Sequence, residues 1–452
     1  VRVPFRSTRL LALAAVTAVI PLAALAGGGQ AAVAAVVTAA PQIPDSPAGR
    51  QLSWLLDAVP KAPIAESELQ EHFSAGFFKS ISVDDLNTFI KNMNGIKLEK
   101  LVAVKPDSLV GAVTVAGQKF VLAISVDGDG KIDSLRAAPE EKPVPPVPGS
   151  WDQLDTRLRK VAPEVGFLAA EIDARGRCEI VHAVAPDKVQ PLGSIFKLYV
   201  LGAVAEKIRD GELSWNTKLT IKPEWKSAGE DGLVKRPDNS TTTVREAAKL
   251  MISISDNTAT DILIHTVGRE AVEAKVRQWS GHAKLNIPFL TTKELFLLKG
   301  VNHPEQARTY LSLDTAGKRA YLKNTVAEQS LSDIKIWTKP REIHTLEWFG
   351  SPRDICRAYA GLIKLKSKPL HEAMSTNDLA IQLAPKKWPT VWAKGGSENG
   401  VLDLSYFARS AKGRTYVVTP LTNNPEAPID ESTAAPELIS LSRGAFALLK
   451  NR

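Results

Sequence analysis

Ser194-Ile195-Phe196-Lys197 sets a hydroxyl and an amine three residues apart at the head of an apolar segment that runs to Arg209, with Gly211 as its stop. On a helix, positions i and i+3 share a face, so Ser194 and Lys197 would stand side by side. Burial among Ile195, Phe196, Leu198 and Tyr199 disfavours a charged amine. A neutral Lys can then take the proton of the Ser hydroxyl, and the helix N-terminus beneath Ser194 favours developing negative charge. The chemistry would be nucleophilic acyl transfer. Alone the pair says little: Ser332-x-x-Lys335 has the same spacing, and a Ser at a helix start is commonly just a cap.

Two further motifs add to it. Ser255-Asp256-Asn257, 61 residues after Ser194, lies between a helix opening with the capping-box pattern Thr243-x-x-Glu246 and a helical stretch over residues 258–266. A short interhelical loop suits polar groups aimed into a cleft. Lys394-Gly395-Gly396 follows Val391-Trp392-Ala393, a strand pattern, with Ser397 next. A Lys on an edge strand supplies fixed positive charge, and glycines let a substrate approach the backbone. Other hydrolytic chemistry lacks its residues. The seven His never form H-E-x-x-H or H-x-H, and there is no G-x-S-x-G elbow, so neither a metal site, a Ser-His-Asp triad nor a cofactor is expected. Asp127-Gly128-Asp129-Gly130 reads as a hairpin turn, because an EF-hand needs an oxygen ligand where Lys131 stands.

The elements that must position these groups fall into segments along the 452 residues. Residues 1–26 have the basic, apolar, small-residue order of a secretory signal peptide, with Arg2, Arg6 and Arg9 before the apolar stretch. An exported chain with no membrane insertion after cleavage is therefore expected. Residues 27–48 read as a mobile leader. In residues 49–138, helical patterns (Leu52, Leu55, Leu56 and Val59; residues 66–78; then Leu86, Phe89, Ile90 and Met93 after Ser82) give way to three period-two strands at 109–115, 118–126 and 131–135. The expectation is a small α+β domain. Residues 139–149 are a Pro-rich linker. Residues 150–452 open with a Ser150-capped helix and strands at 165–172 and 178–183. They continue as helices to about residue 375, then close with strands at 401–408 and 415–419 and a helix over 436–450. Strands at both ends with helices between predict one antiparallel sheet. Cys178 and Cys356 are too few for a disulfide framework. Their pairing is open, with two buried thiols the default expectation. The charge of +8 is dispersed and not interleaved with aromatics, which argues against nucleic acid and for a small anionic substrate.

An S-x-x-K helix, an S-D-N loop and a K-[ST]-G strand in this order resemble the class A β-lactamase and penicillin-binding-protein superfamily. The resemblance covers residues 150–452 and implies its α/β (α+β) fold, an antiparallel sheet plus a helical subdomain. It also implies that Ser194 is the nucleophile, Lys197 its base, and Ser255 a proton relay to the leaving group. Asn257 would hold substrate and position Lys197, and Lys394 would supply positive field. Gly396 falls at the motif's glycine, and the amides of Ser194 and Ser397 would form the oxyanion hole. The whole layout is similar to a smaller group of actinobacterial serine hydrolases that join a small steroid-isomerase-like domain to a class A-like one, as in the β-lactamase-like protein of clavulanic-acid gene clusters. A member of that group carries S-D-G at the loop and is associated with cephalosporin ester cleavage.

Departures from the pattern matter. Gly395 replaces the usual Ser or Thr, removing a hydroxyl that in the family contacts a β-lactam carboxylate. The family's deacylating Glu is followed four residues later by Asn. Glu294 lies 100 residues after Ser194, about where that Glu is expected, but Leu298 stands at the Asn position, and Thr291-Thr292-Lys293-Glu294 also reads as a helix start. Glu347 is the other candidate. The 139-residue interval from Ser255 to Lys394 predicts a rebuilt cleft wall. The sequence thus points to an exported serine hydrolase acting on a β-lactam or ester, or to a β-lactam-binding sensor with little turnover, in an oligomeric state left open.

Overall fold

The computed structural model describes residues 41–449 apart from residues 80, 140–143 and 230. The signal peptide expected over residues 1–26 and most of the leader expected over 27–48 lie outside the described residues. The chain folds as two compact units, one on either side of residues 140–143.

In the first unit, α1 (Pro47–Ala58), α2 (Glu66–His72) and α3 (Val83–Asn92) precede β1 (Lys97–Val104), β2 (Ser108–Val115), β3 (Gln118–Val126) and β4 (Ile132–Pro139). Ser46 and Ser82 cap α1 and α3 by accepting the amides of Gly49 and Asp85. The strands form an antiparallel meander in chain order. Leu52, Leu55, Leu86, Phe89 and Ile90 bury their side chains in one core with Leu109, Val113, Leu122 and Ile124. Three expectations need correction. The sheet has a fourth strand, β1, whose largely exposed positions carry no alternating apolar signal. The helix expected over 66–78 stops at His72, because Phe73 bridges Ile132 in parallel and its neighbour Ser74 donates its amide to Ile132 O. Finally, α1 begins at Pro47, inside the stretch read as leader. At the β3–β4 turn, Asp127 Oδ1 accepts the amides of Asp129 and Lys131 and Gly130 takes φ +75°, as a hairpin turn requires.

The second unit opens with α4 (Trp151–Leu158), β5 (Glu164–Ile172), β6 (Cys178–Val184) and the two-residue strand β7 (Gln190–Pro191), then α5 (Lys197–Arg209). Short strands β8 (Lys218–Thr220) and β9 (Thr241–Thr243) pair with each other. The helices α6 (Val244–Ser253), α7 (Asn257–Val267), α8 (Arg269–Trp279), α9 (Thr292–Gly300), α10 (Glu305–Ser312) and α11 (Thr315–Tyr321) follow. The chain returns through β10 (Phe349–Gly350), which pairs with β7, then α12 (Pro352–Lys364) and α13 (Lys368–Ser375). It ends on β11 (Thr390–Glu398), β12 (Val401–Arg409), β13 (Thr415–Asn423) and α14 (Glu431–Leu449). The five-stranded sheet runs β11-β12-β13-β5-β6, every pair antiparallel, so the two ends of the unit do build one sheet, with β11 at its edge.

α5 is buried from Lys197 to Ala205 in a core with α7, α8 and α12, while α4 and α14 pack with a second set of sheet residues that includes Phe167, Leu404 and Tyr406. α14 starts five residues before the expected Pro436, because Asp430 O receives the amides of Thr433 and Ala434. Residues 146–148, assigned to the linker, belong to this unit: Pro146 O accepts from Arg157 and Ser440, and Pro148 lies where a Cβ on Gly444 would be. The two cysteines are joined, Cys178 on β6 to Cys356 on α12, which corrects the expectation of free thiols. Nothing in a spacing of 178 residues announces the pair. Only the folded sheet brings its edge strand beside the covering helix.

Candidate active site

Ser194 sits on a 3-10 turn, Gly193–Phe196, that runs directly into α5. It is the one half-buried residue in an otherwise buried run from 190 to 200, so the hydroxyl is reachable while its surroundings are dry. One turn on, Lys197 is fully buried, and its Nζ has four neighbours: Ser194 Oγ at 3.0 Å, Ser255 O at 2.7 Å, Ser255 Oγ at 3.0 Å and Asn257 Oδ1 at 2.7 Å. The two shortest contacts go to carbonyl oxygens, which only accept. A neutral amine donating to both keeps its lone pair for a hydroxyl proton. Burial favours that state, lowering the Lys197 pKa to about 7 against the opposing pull of Asp261 and Asp256.

The S-D-N residues are held by the ends of two helices. Asp256 caps α7 through the amide of Ala259 and takes the Leu233 amide on its other oxygen. Ser255, squeezed between α6 and that cap, adopts φ +60°, a left-handed conformation that a Ser holds only when its surroundings impose it. Asn257 Nδ2 donates to Ala228 O at 2.9 Å, which fixes the amide with its oxygen toward Lys197. From the sheet edge, Lys394 Nζ reaches Ser255 Oγ at 3.0 Å and Gly395 O at 2.7 Å. Lys394 is also buried, and its pKa falls well below the ordinary lysine value through desolvation first and, when Lys197 is protonated, through repulsion from it. Ser255 thus bridges two amines, and a proton can pass along Ser194, Lys197, Ser255 and Lys394 without leaving hydrogen-bond range.

The glycines have a steric reason. A Cβ at Gly193, which has φ +46°, would lie 2.9 Å from Ser397 N, and one at Gly396 would lie 2.2 Å from Leu192 O and 2.8 Å from Ser194 N. The backbones carrying the Ser194 and Ser397 amides therefore meet with no room for side chains. Gly395 differs, since its Cβ would meet Leu379 Cδ1 at 3.2 Å and Asp403 O at 3.4 Å.

The residues picked for acyl transfer thus converge: Ser194, Lys197, Ser255, Asn257, Lys394, Gly396 and Ser397. The two acids do not join them. Glu294 completes the capping box of α9 and is bound by Arg269 through both guanidinium nitrogens, at 2.9 and 2.6 Å. Glu347 is bound by Lys299 at 3.3 Å and by the Trp348 amide. The second S-x-x-K, at Ser332, lies exposed on a short 3-10 turn.

Sequence reasoning missed Asp261, one helical turn after Asn257. It is buried, its carboxyl raised to about 7 by desolvation, and it accepts the amides of Thr292 and Lys293 and the Thr292 hydroxyl. The i+4 spacing from Asn257 was the available signal. Among the described residues, no group of three or more His, Cys, Asp or Glu side chains could hold a metal ion, and no helix is long and apolar enough to cross a membrane.

Residues 151–443 match the family model described as "Beta-lactamase enzyme family". The chain belongs to the beta-lactamase enzyme family. Residues 43–132 separately match the model "ORF 12 gene product N-terminal". Similar solved structures include PBP-A, at 19% identity over 68% of this chain and all of the other, with a TM-score of 0.44. A beta-lactamase from Sphaerobacter thermophilus shares 18% over 67% of this chain and 97% of its own, also at 0.44. An ancestral class A beta-lactamase (GNCA) shares 17% over 66% and 98%, again at 0.44. A search of curated proteins finds no match.

Proposed function

We propose that the chain is an exported serine hydrolase that acts on a small β-lactam or ester by forming an acyl-enzyme at Ser194. The observation that carries this is the contact of a reachable Ser194 hydroxyl with a buried Lys197 amine whose donors are already committed to two carbonyls. Lys197 takes the hydroxyl proton as Ser194 attacks the acyl carbon. The Ser194 and Ser397 amides receive the oxyanion. Ser255, between Lys197 and Lys394, passes the proton to the leaving group, and Lys394 favours an anionic substrate when the proton relayed through Ser255 rests on it. The basic segment before the apolar stretch supports export, and the Cys178–Cys356 bond suits an oxidising compartment.

A second reading, a sensor that acylates and scarcely turns over, is favoured by one observation: Glu294 and Glu347 are both bound to cations, so neither is free to activate water. Intact-protein mass spectrometry after mixing with a penicillin and with a 3′-acetoxy cephalosporin tests both. An adduct on the wild type and none on Ser194→Ala is expected. Adducts that last for hours select the sensor, and adducts cleared within seconds select the hydrolase. Turnover retained in Ser194→Ala would overturn the assignment.

A further inference from the structure

Behind the meeting point of Ser194 and Ser397 lies a charged cluster that the acyl-transfer chemistry does not use. Lys299, on α9, is fully buried, and its Nζ donates to both oxygens of Glu398, at 2.7 and 3.0 Å, and to Glu347 Oε2 at 3.3 Å. The Glu347 carboxylate is itself 1% exposed and the Glu398 carboxylate 16%. A buried ion cluster of this kind contributes little net stability compared with well-packed apolar side chains, so what it connects matters more than its strength.

It connects the two backbones that meet at the site. Glu398 ends β11 and follows Ser397 directly. Glu347 Oε1 accepts the amide of Trp348 at 3.0 Å, and Trp348 O in turn accepts the amide of Leu192 at 2.8 Å, two residues before Ser194. The Trp348 ring stacks on Phe196 with centroids 3.7 Å apart, beside Lys197, and its Nε1 is tied to Leu290 O. The ammonium of Lys299 is thus the shared partner of one carboxyl fixed to the Ser397 strand and another fixed to the Ser194 turn. Its own helix is anchored by Arg341, which donates to Lys299 O.

We propose that Lys299, Glu347 and Glu398 form a buried clamp that sets the separation of the Ser194 and Ser397 amides, making Lys299 and Glu398 positioning residues for acyl transfer at Ser194. The inference rests on the acyl-enzyme reading of Ser194. Its chemistry is geometric: oxyanion donors help only when they sit where the tetrahedral oxygen forms, and misplacement by about 1 Å can cost on the order of a hundredfold in rate. Burial, aided by Glu347 and opposed by Lys299, pushes the Glu398 carboxyl well above the usual range, so its neutral form is accessible. A Gln at this position can then replace it, its oxygen accepting from Lys299 and its amide donating to Glu347.

The test is the adduct time course on the full chain, read as a maximal acylation rate and a half-saturating concentration for a penicillin or the cephalosporin. Glu398→Ala is expected to slow the maximal rate at least about tenfold while half-saturation moves less than about threefold, and Glu398→Gln to stay within about threefold of wild type. If Glu398→Ala does not fold, the double variant Lys299→Met with Glu398→Met removes the ammonium together with its main partner and should show the same loss of rate. A folded clamp variant that acylates at the wild-type rate, or one that changes only half-saturation, overturns the clamp alone. A wild-type chain that shows neither an adduct on Ser194 nor Ser194-dependent turnover with the penicillin, the cephalosporin or a small ester overturns the acyl-enzyme reading and the clamp with it.

Discussion

At the scale of single residues, the site is a problem of keeping an amine neutral. Lys197 loses its water and gains two carbonyl partners, and burial brings its pKa to about 7. The acylation rate should therefore rise about tenfold per pH unit below 7 and level off above it, and a pH–rate profile of adduct formation checks this. The same shift acts on folding. The folded pKa lies below the ordinary 10.5, so between about pH 7 and 10.5 the unfolded chain binds the proton that the folded chain refuses. Its contribution makes stability rise with pH across that window, and the full penalty is present below pH 7. Lys197→Met should abolish acylation, raise the melting temperature at neutral pH and flatten this part of the stability–pH curve. An unchanged curve in calorimetry would contradict the assignment. Ser194, Lys197, Ser255, Asn257 and Lys394 were legible because each is a polar type at a fixed spacing within a recognisable pattern. Glu294 stayed open because position along the chain says nothing of direction, and its helix-start reading holds: the first turn of α9 gives it to the cap and to Arg269. The Lys299 cluster was invisible, since its three residues lie on separate segments with no common spacing.

At the scale of elements, the edge strand β11 and the turn before α5 work as one unit, because glycines let their backbones touch. Gly396→Ala would drive a Cβ to 2.2 Å from Leu192 O, a backbone atom that cannot swing aside. We expect at least about a hundredfold loss of acylation with substrate affinity largely kept, and the adduct time course measures it. Gly395→Ser is the contrasting case. Its nearest neighbours, at 3.2 and 3.4 Å, include the tip of a flexible Leu379, so the chain should lose less than about 1 kcal/mol in urea unfolding. The restored hydroxyl should speed acylation by carboxylate-bearing β-lactams relative to neutral esters. Elements with strong periodicity, such as α1, α3 and β3, were readable, whereas β1 was not. Its side chains are largely exposed on both faces, so the period-two signal that marks a half-buried strand never arises.

At the scale of the whole molecule, the Cys178–Cys356 bond ties the outer strand of the sheet to the helix covering it, closing a long loop that spans the whole helical part between them. Replacing both cysteines with Ala should lower unfolding stability by about 2–5 kcal/mol, measured by urea denaturation beside the wild type with and without reductant, and equal stability would contradict a closed bond. By itself, the sequence determined what chemistry was available and in what order its carriers come, because residue type and local spacing are properties of the chain. It also determined that strands from both ends must share a sheet, because each presents an apolar face that a partner strand must help bury. Tertiary structure alone decided that Glu294 is bound by Arg269 and Glu347 by Lys299, that the cysteines pair, and that Lys299 also joins Glu398. These are contacts between segments far apart in sequence, set by how helices and sheet edge close on one another, and no local pattern encodes a distance across the fold.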